Sequence, residues 1–534
     1  ATTSASSGIY TIASTKNDKY PVHYYRGNIS NNNVLFADFC WKIVRTTSTG
    51  GVKLVYNGTY DETSKCNNTG TASQIGTSKF NLNISSPADV GYMYGTRYTS
   101  SSYGAGTVNV LNQYSTSANS NYYYGDSVTY SNGTYTLTNS SQKTWSDNYS
   151  SLVGYYTCRS TSTTCSTVYY IAGSTSGYQY VLSLSNGITD PTTQTITLGK
   201  STNDNGDGTY SLTSVVSLKK SDWYTKYSSY RNYYICEDLT STICSGKYHL
   251  TSTNNFQITY EKPFNFAYGN DVSWDGTKYT LIDTFISKND WTTDRTTAAK
   301  KYHYTCFNLS GECTEVYYII SFYEYDSSYI YYLTLSEGKN IEDAKNEMFT
   351  NSNDSTMKKT LETWYENNLT SYTEKLEDTI WCNDRTLYSG SLLGKDEDTG
   401  KSLSYFGARG RYSFKHSPTV DCPNESRDGF TVSTTSGGNG ALTYPVGLLT
   451  ADEVMLAGNN DSSNGYYLHT GQWYWTLSPD GTWKYSFNIG VASFGAFGHP
   501  QVYYSFGVRP SISVVPGAKS IDGNGTADDP YIIE

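Results

Sequence analysis

The sequence has few of the features that mark several large protein classes. No apolar run among its 534 residues approaches the length of a bilayer span, and no cluster of Lys and Arg forms a basic stripe. The net charge of −10 disfavours nucleic acid and anionic membranes as partners, because both require a cationic surface. The six histidines are scattered, and neither a CxxC nor a GxSxG motif occurs. We therefore predict no catalytic residue, no metal site, no cofactor and no membrane span.

Aromatic residues and glycine are abundant instead. The chain has 55 Tyr and 46 Gly but only 4 Met, and 15% of its residues are aromatic. Disordered chains are poor in aromatics, and Tyr and Thr favour strands over helices. The composition predicts an ordered, mainly β protein with a minor α+β part, and the length predicts two to four domains.

The cysteines indicate an oxidising compartment. There are ten, an even number, and in sequence order they form neighbouring pairs: Cys40 with Cys66, Cys158 with Cys165, Cys236 with Cys244, Cys306 with Cys313, and Cys382 with Cys422. Disulfides explain this pattern better than zinc, although the sequence leaves their connectivity open. The small-residue start ATTSASSG is typical of the mature side of a signal-peptidase cut, and a trimmed expression product is the alternative. We expect an extracellular, cell-surface protein.

Three internal repeats occupy the middle of the chain. Each has an NG or DG turn between short strands, then a tryptophan, then a cysteine pair flanked by tyrosine-rich strands. The tryptophans are Trp145, Trp223 and Trp291. The repeats predict tandem β modules over 116–195, 196–264 and 265–349, each clipped by a disulfide because a module of this size buries little surface.

Aromatic residues also concentrate near the C-terminus, where Trp473, Trp475, Trp483 and Tyr503 lie among turn-forming Gly, Pro and Asp. Such a cluster suits a hydrophobic core, and a stacking platform for sugar rings is the alternative. Farther on, Val508, Pro510, Ile512 and Val514 alternate with Arg509, Ser511 and Ser513, which predicts a strand with one buried face. The proline in it indicates either an edge strand or a strand start.

Several motifs resemble an uncharacterised family of secreted surface proteins of Gram-positive gut bacteria: FCWKIVR at 39–45, LEDTIWCNDR at 376–385, TYPVGLLTADE at 443–453, WTLSP at 475–479 and GVRPSIS at 507–513. The resemblance implies no activity. It implies a terminal domain similar to the C-type-lectin-like, formylglycine-generating-enzyme-like fold. We accordingly expect a discontinuous lectin-like domain, built from 20–115 and 350–534, into which the tandem β modules are inserted.

Three chemical alternatives have weak sequence support. The Asp-rich turn beginning at Asn203 imitates a calcium loop but has Ser214 where such a loop needs Glu. Glu374 and Glu377 could form a glycosidase pair, yet they more simply solvate a helix. An enzyme of the formylglycine-generating kind would need free thiols, for which Cys382 and Cys422 are the nearest candidates.

The N-terminal segment 1–19 contains one apolar alternation, Ile9, Tyr10, Thr11 and Ile12, which predicts a strand able to pair with a neighbouring molecule. We therefore expect a self-assembling subunit of an extracellular filament, with copies of itself as partners. The alternative is a monomeric adhesin whose lectin-like domain binds glycans.

Overall fold

A computed structural model describes residues 7–12, 20–84, 86–102, 105–261, 266–287, 302–322, 329–388, 404–459, 465–482 and 486–533. The chain is mainly β and forms two compact units, residues 1–99 with 339–534 (unit 1) and residues 100–338 (unit 2). Residues 100–115, assigned above to the lectin-like part, lie in unit 2, and residues 339–349, assigned above to the third module, lie in unit 1.

Unit 1 contains a seven-stranded sheet that joins the two ends of the chain. Its strands are Gly8–Ile12, Val22–Arg26, Asn33–Phe36, Phe39–Thr46, Val52–Thr59, Ser511–Val514 and Tyr531–Ile532. A hairpin is formed by Phe39–Thr46 paired with Val52–Thr59, and Ser511–Val514 pairs with the second of these strands. Long-range pairing of this kind brings the FCWKIVR and GVRPSIS motifs into one sheet.

A second sheet of unit 1 contains the C-terminal aromatic stretch. Its strands are Thr77–Lys79, Ser404–Tyr405, Tyr474–Thr482, Ser486–Val491, Phe497–Gly498 and Ser505–Gly507. Two-stranded pairs are formed by Met93–Tyr94 with Asn353–Asp354, and by Trp381–Cys382 with Gly429–Phe430.

Three α-helices of unit 1 begin at capping residues that the sequence supplies. Thr356–Asn368 starts at Ser355, whose hydroxyl accepts a hydrogen bond from the Lys358 amide, and Ala451–Leu456 starts at a Thr450–Glu453 capping box. Ile341–Met348 starts at a capping box at Asn340, which sequence reasoning did not identify. The shorter α-helical segments of unit 1 are Gly407–Gly410 and Glu425–Asp428.

The prediction of one buried face for the GVRP strand is wrong. Arg509 and all four residues of Ser511–Val514 are buried. The Ser511 hydroxyl donates to the Leu54 carbonyl and the Ser513 hydroxyl bonds to that of Thr379, so both faces carry partners for polar groups. The strand does begin directly after Pro510.

Unit 2 contains three modules. Module 1 consists of Asn121–Gly125, Ser127–Ser131, Thr134–Thr138, Ser141–Thr144, Tyr156–Thr157, Thr164–Cys165, Val168–Thr175 and Tyr178–Leu184, with helix Trp145–Asn148. Module 2 consists of Thr195–Asp204, Tyr210–Lys219, Tyr234–Ile235, Ile243–Cys244, Tyr248–Thr253 and Gln257–Glu261, with helix Trp223–Lys226. Module 3 consists of Phe266–Gly269, Asp271–Trp274, Tyr279–Ile282, Phe285–Ser287, Tyr304–Thr305, Glu312–Cys313, Glu315–Phe322 and Tyr329–Ser336.

The modules repeat details as well as element order. A tyrosine pairs with the second cysteine of each disulfide: Tyr135 with Cys165, Tyr210 with Cys244, and Tyr279 with Cys313. A β-bulge interrupts the last hairpin at equivalent places, after Ile171, Leu250 and Ile319. A glycine lies against an equivalent leucine in each module: Gly125 on Leu137, Gly199 on Leu212, and Gly269 on Leu281. These matches indicate three copies of one structural unit.

The module tryptophans fill cores. Trp145 and Trp223 are fully buried, and their ring N–H groups donate to the carbonyls of Ser176 and Asn254. Trp291 lies outside the described residues. Modules 1 and 2 share one apolar cluster, in which the Tyr180 ring packs against Tyr224 at 5.0 Å between centroids, whereas module 3 has a cluster of its own.

Candidate functional site

The predicted assembly strand lies at an edge of the main sheet of unit 1. Gly8–Ile12 pairs antiparallel with Val22–Arg26 of its own chain, in a register that places Thr11 opposite His23. The Tyr10 ring stacks on Tyr24 at 5.8 Å, and the Thr11 hydroxyl lies 2.8 Å from Nδ1 of His23. The strand is only half-buried, because Ile9 is 64% exposed and Thr11 is also exposed. Backbone pairing therefore provides much of the attachment of this strand.

The acceptor strand is much better buried than the strand it receives. Val22, Tyr24 and Arg26 are all buried, and the Arg26 guanidinium donates to the carbonyls of Met455 and Leu456 at 2.9 and 3.0 Å. The groups that recognise Gly8–Ile12 are thus held by the rest of unit 1. Such an edge can accept any strand of the same sequence, from its own chain or from another copy.

The predicted sugar platform is not brought together as a whole. Trp475 is 1% exposed and donates its ring N–H to the Ser78 carbonyl at 2.8 Å, so it belongs to the core and cannot stack on a ligand. Trp483 lies outside the described residues. Trp473 and Tyr503 are both partly exposed. The interpretation of these tryptophans as core residues is correct for Trp475.

Two residues that sequence reasoning did not assign to the platform link Trp473 to Tyr503. The Phe506 ring stacks on Trp473 at 4.9 Å, the Tyr504 ring lies 6.2 Å from Phe506, and Tyr503 stacks on Tyr504 at 4.4 Å. We call Trp473, Phe506, Tyr504 and Tyr503 the aromatic row. The buried Trp475 ring packs against the Phe506 ring, with 5.2 Å between the ring centroids. The signal was present in the sequence as the YYSF run at 503–506, but its pairing with Trp473 depends on the sheet.

A buried charge network connects the two chain segments of unit 1. Lys53 Nζ lies 2.7 Å from a carboxylate oxygen of Glu453, and Arg45 Nε lies 2.7 Å from the same oxygen. Burial opposes ionisation of Glu453, but the two cations outweigh it and lower the pKa of this carboxyl to about 2. Arg411 makes a similar bridge to Asp452 and Asp384. These charges satisfy one another, which is typical of structural networks.

Sequence reasoning also missed a polar cluster around His499. Its Nδ1 lies 3.1 Å from Asp480, its ring stacks on Tyr412 at 5.6 Å, and Arg409 contacts both Asp480 and Tyr412. Asp480 and Tyr412 are buried, so the cluster ties helix Gly407–Gly410 to strand Tyr474–Thr482. The four residues come from three separate segments, which is why no local motif indicated them.

The cavity beside strand Val22–Arg26 is small. It has a volume of about 110 Å³ and is lined by acidic and hydroxyl side chains that include Glu377, Asp378 and Thr49. The Asp378 carboxylate is already occupied, because it accepts hydrogen bonds from the amides of Val432 and Ser433. Pockets for small molecules are several times larger, at roughly 300 Å³ or more.

All ten cysteines are joined in disulfides, between the neighbours of the chain order. No free thiol is present for chemistry of the formylglycine-generating kind. Within the described part of the chain, no cluster of three or more His, Cys, Asp or Glu side chains is arranged to hold a metal ion. Across the same residues, none of the helices has both the length and the apolar character to cross a bilayer.

With this geometry established, we compared the chain with known proteins. Neither the family models, nor the curated proteins, nor the solved structures gave a match.

Proposed function

We propose that this protein is a secreted structural protein of the bacterial cell surface, and that copies of it assemble into an extracellular filament by strand exchange. In the assembly, Gly8–Ile12 of one molecule occupies the edge of Val22–Arg26 in the next. Unit 1 would be the lectin-like domain implied by the sequence motifs, and the three modules of unit 2 would act as disulfide-clipped spacers.

The observation that carries the proposal is the asymmetry of the strand pair at this edge. The strand Gly8–Ile12 is half-buried, with Ile9 exposed, whereas Val22, Tyr24 and Arg26 of the acceptor are buried. Strand addition relies on main-chain hydrogen bonds for affinity and on alternate side chains for register, and Tyr10 on Tyr24 supplies that register here.

Engineered cysteines test the exchange directly. Thr11→Cys with His23→Cys places two thiols on directly opposed residues, and every native cysteine is already paired. Assembled material should give a ladder of covalent multimers on a non-reducing gel, because each bond would join two molecules. Thr11→Cys alone is the matched control and should give at most dimers. Exclusively intramolecular bonds in material that forms filaments would refute strand exchange.

Removal of residues 1–12 gives an independent test. Electron microscopy should find folded monomers without filaments, and addition of a peptide spanning residues 7–12 should leave them monomeric, since the acceptor edge is then filled without a connection. Filaments of unchanged abundance in the truncated protein would contradict the proposal.

The aromatic row favours a second candidate function, glycan binding by a monomeric adhesin. Its rings are partly exposed, and two of them carry hydroxyl groups, a combination that suits stacking on sugar faces with hydrogen bonds at the rim. A glycan array should detect specific, saturable binding that Trp473→Ala abolishes. Trp475→Ala is unsuitable as a probe because that ring is buried in the core. Binding that survives Trp473→Ala would exclude the aromatic row as the site.

A further inference from the structure

The segment that precedes module 1 in the sequence contributes one strand to the sheet of each of the three modules. We call residues 99–102 and 105–115 the strap. It contains three short strands, Thr99–Ser102, Ala105–Asn109 and Asn112–Ser115. The first lies beside the last strand of module 3, the second beside the last strand of module 2, and the third beside the last strand of module 1. Each module thus receives one strand, in the reverse of the chain order.

Register is defined for two of these pairings. Ala105–Asn109 runs antiparallel to Gln257–Glu261, with Thr107 opposite Thr259. Asn112–Ser115 runs antiparallel to Tyr178–Leu184, with Gln113 opposite Tyr180. In both modules the accepting strand is the second strand of the bulged hairpin. The strap therefore uses the same place in each repeat.

Side chains fix the strap in its position. Between its second and third strands, Val110 and Leu111 are 3% and 1% exposed and belong to the shared core of modules 1 and 2. Both of their amides donate to the Phe256 carbonyl at 2.9 Å. The Asn112 side chain donates to the Ser183 hydroxyl at 2.6 Å, and the Tyr114 ring contacts both the Tyr169 ring and the Arg159 guanidinium. A slipped strap would lose these contacts together.

Gly106 makes the second strap strand selective. It lies under the Tyr260 ring, and a Cβ at this position would come within 2.4 Å of Tyr260 Cζ. A larger residue at this position would require the Tyr260 ring to move. A side chain at position 106 is therefore disfavoured in the strand that pairs with Gln257–Glu261.

We propose that the last strand of each module is a binding site for an extended peptide strand, and that the strap is the ligand that fills it. Without the strap, Gln257–Glu261 and Tyr178–Leu184 would each present an open edge of unpaired amides and carbonyls next to an apolar core. Open edges of this kind recruit strands from other chains. The strap completes the modules and closes these edges, which is a role separate from filament assembly by Gly8–Ile12.

Proline substitution in the full-length protein tests the assignment of strap strands to modules. Gly106→Pro with Thr107→Pro removes amide donors at two successive positions, so at least one ladder bond opposite Gln257–Glu261 is lost. We expect hydrogen exchange at 257–261 to accelerate at least tenfold while 178–184 stays protected. Asn112→Pro with Gln113→Pro should do the converse. Thr107→Ala, which keeps its amide, is the control and should leave both regions protected.

A synthetic peptide tests whether the last strand of module 2 can bind a separate strand. A synthetic peptide of residues 105–111, added to the Gly106→Pro, Thr107→Pro protein, should restore protection at 257–261, and the same peptide carrying Gly106→Val should not. Equal loss of protection in both modules for either proline pair, no loss in either module, or no discrimination between the two peptides would overturn the proposal. If one proline variant fails to fold, the other pair still measures whether the effect stays in its own module.

Discussion

The two units of this protein use charge differently. In unit 1, Arg385 and Asp428 form a fully buried ion pair, and Lys53 meets Glu453 across 400 residues of sequence. In unit 2, Lys226 with Asp222 and Lys278 with Glu312 lie at the surface. Unit 1 closes a domain from two distant segments, so specific long-range pairs define its register. Unit 2 repeats local hairpins, for which tyrosine packing and disulfide clips suffice.

Removal of a buried charge should have the largest effect, confined to unit 1. Glu453→Gln leaves Lys53 and Arg45 without their carboxylate in a buried site, and we expect a loss of about 3–5 kcal/mol in the free energy of unfolding. Scanning calorimetry measures it. Glu312→Gln in unit 2 is the matched control and should cause no measurable change, since its ion pair is exposed. Equal effects would remove the distinction between the units.

Removal of one module disulfide should cause the next largest loss of stability, in unit 2. Cys236→Ala with Cys244→Ala opens a disulfide with a sequence separation of 8, which corresponds to about 2.5 kcal/mol in the chain-entropy model. Chemical denaturation followed by hydrogen exchange should localise the loss to module 2. The corresponding change at Cys40 and Cys66 should destabilise unit 1 instead. A loss spread over both units would contradict the local character of the clips.

Substitution by alanine should destabilise the protein at a glycine that recurs in the modules and should be tolerated at a glycine that does not. A Cβ at Gly199 would meet Leu212 Cβ at 2.9 Å, so Gly199→Ala should destabilise module 2 by about 1–3 kcal/mol through overpacking. Gly177→Ala is the control, because open space surrounds that position. Denaturation midpoints of the two variants decide. Identical midpoints would mean that the repeated glycines are not needed for packing.

The smallest expected effect is a pH dependence of the stability of unit 1. Burial raises the pKa of Asp89 to about 6, although Arg97 opposes the shift. The folded state therefore binds a proton that the unfolded state has released, and this group contributes stability that grows as pH falls from about 6 towards its unfolded value of 3.8. Asp89→Asn should remove about 1 kcal/mol per pH unit of this slope, measured by urea unfolding at pH 4, 5 and 6. An unchanged slope would refute the assignment.

Local patterns predicted the elements whose cause is local. The alternation of Ile9 to Ile12 predicted the strand Gly8–Ile12, and the proline of the GVRP motif predicted where the strand Ser511–Val514 begins. The threefold repeat likewise appeared in the sequence because the hairpin, the tryptophan and the clip recur in each copy.

Features that depend on distant partners were missed. Residues 105–115 contain only a short apolar run, Val108, Val110 and Leu111, and their pairing partners lie in modules that follow later in the chain. Arg509 looked like the exposed side of an alternating strand, yet it is buried against the Tyr56 carbonyl and the Tyr474 ring. The aromatic row likewise depends on Trp473 and Phe506 meeting through the sheet.

The position of the strap has a mechanical consequence. The chain enters unit 2 through Thr99–Ser102 and leaves it after Tyr329–Ser336, and these two strands are neighbours in one sheet. Tension applied to the ends of the insertion would act on that single strand pair. Modules 1 and 2 would not carry this force. They would therefore stay folded until the pairing between these two strands in module 3 breaks.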